Sequence, residues 1–192
     1  LHRTVGCGSV SFSTFPGLSA FMTVQLYEKY LRKDLPDRNF ILRAGLDLAR
    51  KDLKCVKAHA LSVFVSEKGI RDFMETGILP DYPIERYDPI QPEDRFLLLC
   101  HYMKMIREHD VSLRIIKESF GNTSSRSRIW VDDRLICIHL QDISGACKVI
   151  LIRDPGLLSL LNDFFRNMPE VICMSQEASM DTLQNILDEY NT

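Results

Sequence analysis

The sequence predicts an α/β (α+β) chain: a helical N-terminal part, then a mixed, largely antiparallel sheet flanked by helices. Three observations carry this. Apolar residues recur three and four apart over long stretches, which is the spacing of a buried helix face. Short β-branched runs with period-two alternation cluster between residues 111 and 152. Tight polar turns separate those runs, and strands joined by tight turns pair antiparallel.

The 192 residues suffice for one good-sized domain or two small ones. Hydrophobic residues at 45% and charged residues at 26% are ordinary globular values, which excludes a disordered, collagen-like or coiled-coil chain. No apolar run reaches the ~20 residues that cross a bilayer, so no membrane partner is expected. A formal net charge of -2 gives no global basic field of the kind that draws nucleic acid. The chain begins Leu1-His2-Arg3 with no initiator methionine and no signal-peptide pattern. That reads as a cytoplasmic fragment whose N-terminal part has been cut away.

Residues 1–17, rich in Gly and Ser, read as a lead-in. Leu18 to Leu31 reads as a helix on Leu18, Phe21, Met22 and Leu26. The Lys33–Asp37 stretch breaks it. A second helix is expected from about Arg38 to Ala58, with Leu42, Leu46, Ala49, Leu53 and Val56 on one stripe. Nine Lys or Arg against four Asp lie between Lys29 and Lys57. They read as a solvated face, because no compact base-reading helix accompanies them. Ala60 to Val65 is a β-rich run. Ser66 caps a short helix by offering its side-chain oxygen to open N–H groups, and Gly77 stops that helix in a left-handed conformation. Pro80, Pro83, Pro89 and Pro92 mark the best internal boundary. The expected organisation is therefore 1–79, mostly helical with one short strand; 80–92, a Pro-rich linker; and 93–192, an α/β effector-type domain.

Pro92 suits the first turn of the next helix, since its missing N–H costs nothing there. Phe96, Leu99, Cys100, Met103 and Ile106 form the buried stripe of that helix, and His109-Asp110 ends it. Val111, Leu113 and Ile115 alternate with Ser112 and Arg114 as a half-buried strand. Residues 118–127 read as a polar loop. Arg128 to Val131 and Leu135 to Leu140 read as a hairpin turning at Asp132-Asp133, and Ala146 to Ile152 as a third strand of the meander. Leu157 to Asn167 is a helix, Val171 to Met174 a last short strand, and Ser175 the cap of a terminal helix carrying Met180, Leu183, Ile186 and Leu187.

The sequence announces no reaction. The glycine-rich dinucleotide loop, the phosphate loop and the Gly-x-Ser-x-Gly elbow are all missing. Cys7, Cys55, Cys100, Cys137, Cys147 and Cys173 sit in apolar contexts and read as reduced core thiols, with no Cys-x-x-Cys pair among them. The five histidines form no i, i+4 pair, so neither a metal nor another cofactor is expected. One constellation stands out. Arg128 and Trp130 share a strand face, with Arg126 just before them at the end of the loop, and Cys137 and His139 share a face of the next strand. A planar guanidinium beside an indole suits an anionic or aromatic small molecule. The competing reading places Trp130 in the core and leaves both arginines in solvent.

The run from Ser66 to Gly77 (Ser-Glu-Lys-Gly-Ile-Arg-Asp-Phe-Met-Glu-Thr-Gly) precedes the Pro-rich stretch. Arg95-Phe96-Leu97-Leu98-Leu99 and Leu113-Arg114-Ile115-Ile116 follow, then Val149-Ile150-Leu151-Ile152-Arg153-Asp154-Pro155, Phe164-Phe165 and Val171-Ile172-Cys173-Met174-Ser175-Gln176-Glu177. Over roughly residues 18–190 this order resembles the C-terminal effector region of bacterial helix-turn-helix (XRE-type) transcriptional regulators of Gram-positive anaerobes. The resemblance implies a cytosolic regulator with its DNA-binding domain N-terminal to this region. It also implies a second half similar to a phospholipase-D-like α/β fold that has lost its enzyme. That enzyme needs His-x-Lys-x-x-x-x-Asp, and His139-Leu140-Gln141 lacks the lysine.

The expected function is then a non-catalytic, ligand-sensing or dimerisation domain of a transcriptional regulator. It would act as a homodimer with a small-molecule effector, and reach DNA only through a domain absent from this chain. The candidate ligand-binding residues are Arg126, Arg128, Trp130, Cys137 and His139. Two alternatives stand beside it: a protein-interaction module without a small ligand, and a small cytosolic enzyme acting through Cys137 and His139.

Overall fold

A computed structural model of the chain describes residues 9–13, 23–58, 61–78, 86–109, 111–117, 126–131, 134–141, 147–167 and 172–191. Six strands form one sheet: β1 (Ser9–Ser13), β2 (Leu61–Ser66), β3 (Val111–Ile116), β4 (Arg126–Val131), β5 (Ile136–Gln141) and β6 (Cys147–Ile152). The described helices are α1 (Val24–Tyr30), α2 (Arg38–Ala58), α3 (Glu67–Thr76), α4 (Pro92–Glu108), α5 (Pro155–Asn167) and α6 (Gln176–Glu189). The mixed α/β class expected from the sequence is what the chain adopts.

The sheet order is β3-β2-β1-β4-β5-β6. β1, β2 and β3 run parallel, while β4 pairs antiparallel with β1, and β4, β5 and β6 form an antiparallel meander. In the parallel half, α1 and α2 lie between β1 and β2, and α3 and α4 between β2 and β3, as parallel neighbours require, since only a long crossover can return the chain to the same end. The sheet is thus more evenly mixed than the largely antiparallel one expected. The largest correction concerns Ser9–Ser13. Residues 1–17 read as a lead-in, yet this segment is a central strand between β2 and β4.

Other boundaries shift for local reasons. The helix expected from Leu18 is described from Val24, where Thr23 accepts a capping hydrogen bond from the Leu26 N–H at 3.2 Å; residues 14–22 lie outside the described part. α2 spans the expected Arg38–Ala58. α3 has the expected ends, with the Ser66 side chain accepting from the Gly69 N–H and Gly77 in the left-handed conformation at φ 68°. The strand expected at Val171–Met174 reduces to a single bridge between Cys173 and Ile116. β4 starts at Arg126, inside the stretch read as a loop.

The Pro-rich stretch does not divide the sheet, which takes β1 and β2 from before it and β3 to β6 from after it. Its described part, from residue 86, is stitched down. The Arg32 N–H donates to Arg86 O, the Asp88 N–H to Tyr30 O and the Ile90 N–H to Gly77 O, each at 2.9 Å.

Two cores lie on opposite faces of the sheet. On one face Val63, Val65, Val111, Leu113 and Ile115 pack under residues of α1, α3, α4 and α6. On the other, Phe64, Ile116, Val131 and Ile136 meet Leu158 and Phe165 of α5 and Cys173. The Phe64 and Phe165 rings stack with centroids 6.2 Å apart. β2 is buried on both sides by this arrangement, which is why Val63, Phe64 and Val65 form a continuous apolar run.

The two edges of the sheet differ. Along β3, the Lys117 N–H donates to Ile172 O, the Met174 N–H to Ile115 O, and the Ile115 N–H to the Ser179 hydroxyl of α6. Along β6, no described residue pairs with the outer edge.

Candidate functional site

The expected site residues meet by strand register. Arg128 stands opposite His139, Trp130 opposite Cys137, and Arg126 opposite Gln141. On the other side of β4, Ser13 stands opposite Arg128 and Ser11 opposite Trp130. Directly opposite residues share a face in an antiparallel pair. The register therefore places Arg126, Arg128, Trp130, Cys137 and His139 on one face of the β4–β5 hairpin. The sequence pattern gave each strand's face; pairing supplied the juxtaposition across strands. Cys137 is half-buried and outside any disulfide. The 118–125 loop and the Asp132-Asp133 turn lie outside the described residues.

The position in the sheet is informative. β1, β2 and β3 end at Ser13, Ser66 and Ile116, all at one end of the parallel half. Because β4 runs the other way, its first residues, Arg126 and Arg128, fall at that same end. So does Lys117, immediately after β3. Open α/β sheets bind ligands at the carboxyl ends of their parallel strands, near the point where strand order reverses. Here that point is the β1–β4 junction. The backbone register thus brings two arginines, a tryptophan and a histidine to one face of β4 and β5.

The face continues outward. Leu151 stands opposite Cys137 and Val149 opposite His139. Both are solvent-facing, at 59% and 55% exposure, so the candidate site borders an uncovered apolar strand.

The described charges away from this face serve the scaffold. Lys29 and the Tyr30 hydroxyl both donate to Asp94, and the Tyr30 oxygen accepts from the Gln91 N–H at 3.0 Å. Burial pushes the Asp94 carboxyl up, but these two donors outweigh it and hold it below the ordinary carboxylate value. Arg71 bridges Glu189 and Glu67, tying α6 to α3; the two hydrogen-bonded carboxylates raise its pKa. Arg95 donates to Met74 O at 2.8 Å and to Glu75 O at 2.9 Å, satisfying the open carbonyls at the end of α3. Sequence reading missed Arg95 and Asp94; their signal was only that charged residues flank an apolar stripe. Cys100 and Cys173 are thiols whose pKa burial raises, so both are held in the unreactive protonated form. Among the described residues no group of His, Cys, Asp and Glu has the geometry to hold a metal ion. No described helix is long and apolar enough to cross a membrane.

No family model, curated protein or solved structure matches the chain.

Proposed function

We propose that this chain is a non-catalytic regulatory domain of a bacterial helix-turn-helix transcriptional regulator, one that senses a small anionic effector and acts as a homodimer. The observation that carries the reading is the register-built face: Arg128 beside His139 and Trp130 beside Cys137, with Arg126 and Arg128 at the end where the parallel strands β1, β2 and β3 finish. That is where an open α/β sheet takes a ligand. The segment order from Ser66 to Glu177, with its resemblance to such effector regions, supports the same reading. His139-Leu140-Gln141 has glutamine where phosphodiester cleavage would need lysine, so binding rather than turnover is assigned to this face.

Contact with DNA is assigned to a domain outside this chain. From Asp154 onward there are seven acidic residues and one arginine, a poor surface for phosphates. A ligand on the β4–β5 face would act by favouring one arrangement of two protomers over another, since it shifts an equilibrium only by its differential affinity for the two states. Gel-shift and anisotropy measurements with the regulator's own upstream DNA test this. The 192-residue chain alone leaves the DNA unbound, and the complete regulator binds it. Tight, sequence-selective binding by the chain alone overturns the reading.

A second reading has one observation in its favour. The uncovered Val149 and Leu151 suit a protein-interaction module with no small ligand. Loss of effector response on Arg128→Ala, with dimerisation intact, would separate the first reading from the second.

A further inference from the structure

The proposed dimer has no interface in the account so far, and the sheet offers one. Natural sheets close or blunt their edges, because a row of unpaired N–H and C=O groups is a template for another strand. The β3 edge is closed by residues 172–174 and by Ser179. The β6 edge is apolar and presents Val149, Ile150 and Leu151 at 55%, 45% and 59% exposure. Val149 and Leu151 lie on one face, Ile150 on the other.

The helix that follows β6 packs on the face of Ile150 and exposes apolar residues of its own. Leu160 and Phe164 of α5 are 64% and 51% exposed. At about 100° per residue they sit on the flank of the buried stripe opposite Leu158 and Phe165. Phe165 reaches Phe64 on β2, and Phe164 meets Phe165 edge-on with ring centroids 5.6 Å apart.

Resting on the dimer reading above, we infer that β6 pairs antiparallel with β6 of a second copy of this chain, about a two-fold axis at Leu151. A two-fold axis normal to a sheet keeps each residue on its own face. The axis must therefore pass through a residue pair rather than between pairs. Centring on Val149 sets Lys148 opposite Ile150, and centring on Ile150 sets Lys148 opposite Ile152; both leave the ammonium facing an apolar side chain. Centring on Leu151 sets Lys148 opposite Asp154 of the other copy, twice by symmetry. Ile150 then faces Ile152, and Val149 lies under the aliphatic stem of Arg153. Lys148, Arg153 and Asp154 are all exposed. Asp154 lies two residues past the end of β6, where its Oδ1 accepts the Leu157 N–H at 2.7 Å and caps α5, so this register extends the pairing beyond Ile152. The charge pattern is thus complementary to itself in one register, which selects a second copy as the occupant. The resulting sheet is continuous through both protomers. It carries the β4–β5 face of each up to the interface, because Cys137 and His139 stand opposite Leu151 and Val149.

Light scattering and sedimentation on the full 192-residue chain test the pairing. The unsubstituted chain is a dimer. Leu151→Lys, which sets two ammonium groups against each other on the axis, weakens the dimer by about 100-fold. Its far-ultraviolet circular dichroism spectrum is unchanged, because Leu151 is exposed in the single chain, while its melting temperature falls only as far as the lost dimer accounts for. Lys148→Glu weakens the dimer by about tenfold, as two pairs are lost and like charges meet. Register is read by cross-linking. Opposite Cβ atoms lie about 4.5–5.5 Å apart, so Leu151→Cys is captured by a short thiol cross-linker above the background of the unsubstituted chain. Val149→Cys, about 13 Å from its own copy, is not. A dimer unmoved by Leu151→Lys overturns this interface and leaves the dimer reading standing. Capture through Val149→Cys but not Leu151→Cys overturns the register. A monomer at about 100 μM, a concentration that would populate even a weak dimer, overturns both the interface and the dimer reading.

Discussion

Ser179 shows how one small polar residue decides a local structure. It lies on the buried stripe of α6 and is fully buried. Its hydroxyl accepts from the Ile115 N–H at 2.9 Å and donates to Ser175 O at 2.7 Å, so the sheet edge is finished by a helix side chain. Ser179→Ala leaves the Ile115 donor buried without a partner and lowers unfolding free energy by about 1–3 kcal/mol, measurable by urea denaturation. Gly77 is a second such position. Its φ of 68° is left-handed, and a Cβ there would stand 2.1 Å from Ile90 O. Gly77→Ala therefore costs at least about 2 kcal/mol on the same assay, through backbone strain and the displaced 86–90 segment. Asp94 supplies a pH dependence. Its carboxyl is held below the ordinary value of 3.8 by Lys29 and Tyr30, against the upward push of burial. A depressed folded-state pKa contributes stability that is full above the unfolded value and lost as pH falls through the folded one. The urea midpoint should fall as pH drops below about 4. In Asp94→Asn that part of the fall should be absent. An Asp94→Asn profile as steep as the unsubstituted chain's would contradict the assignment.

Elements were legible where their signal was local. The Ser66 cap and Gly77 stop bound α3 because cap chemistry acts within one turn. The apolar stripes of α2 and α4 and the alternation of β3 are likewise local patterns. β1 was illegible for a physical reason. Ser9-Val10-Ser11-Phe12-Ser13 alternates with period two, but serine has low strand propensity. What makes the segment a strand is pairing with β2 and β4, at least 48 and 113 residues away along the chain. The Val171–Met174 segment failed in the opposite direction: its residues suit a strand, yet a single bridge and two hydrogen bonds beside β3 are what its described residues, 172–174, show. The candidate site was half-legible. Period two placed Arg128 and Trp130 on one face, and Cys137 and His139 on another strand's face, while Arg126 was read in the loop and joins them only because β4 begins there. Only the register, with Arg128 opposite His139, put the two sets together.

At the scale of the molecule, the sheet joins a parallel half to an antiparallel half, and the two cores lie on opposite faces. Helices α1, α3, α4 and α6 serve one core and α5 the other. This leaves β6 as the sheet edge that no described residue pairs with, and the candidate effector face begins on the next strand, β5. An effector bound by Arg128 and Trp130 would be felt at β6 through the β4–β5–β6 ladder, and an event at β6 would be felt by the effector to the same extent, since coupling is reciprocal. The central claim is that this chain is a dimerising regulatory module. The measurement that tests it most directly is the solution mass of the 192-residue chain by light scattering, across a dilution series. A dimerising chain gives twice the mass of one chain, falling to one on dilution; a mass of one chain throughout the series overturns the dimer.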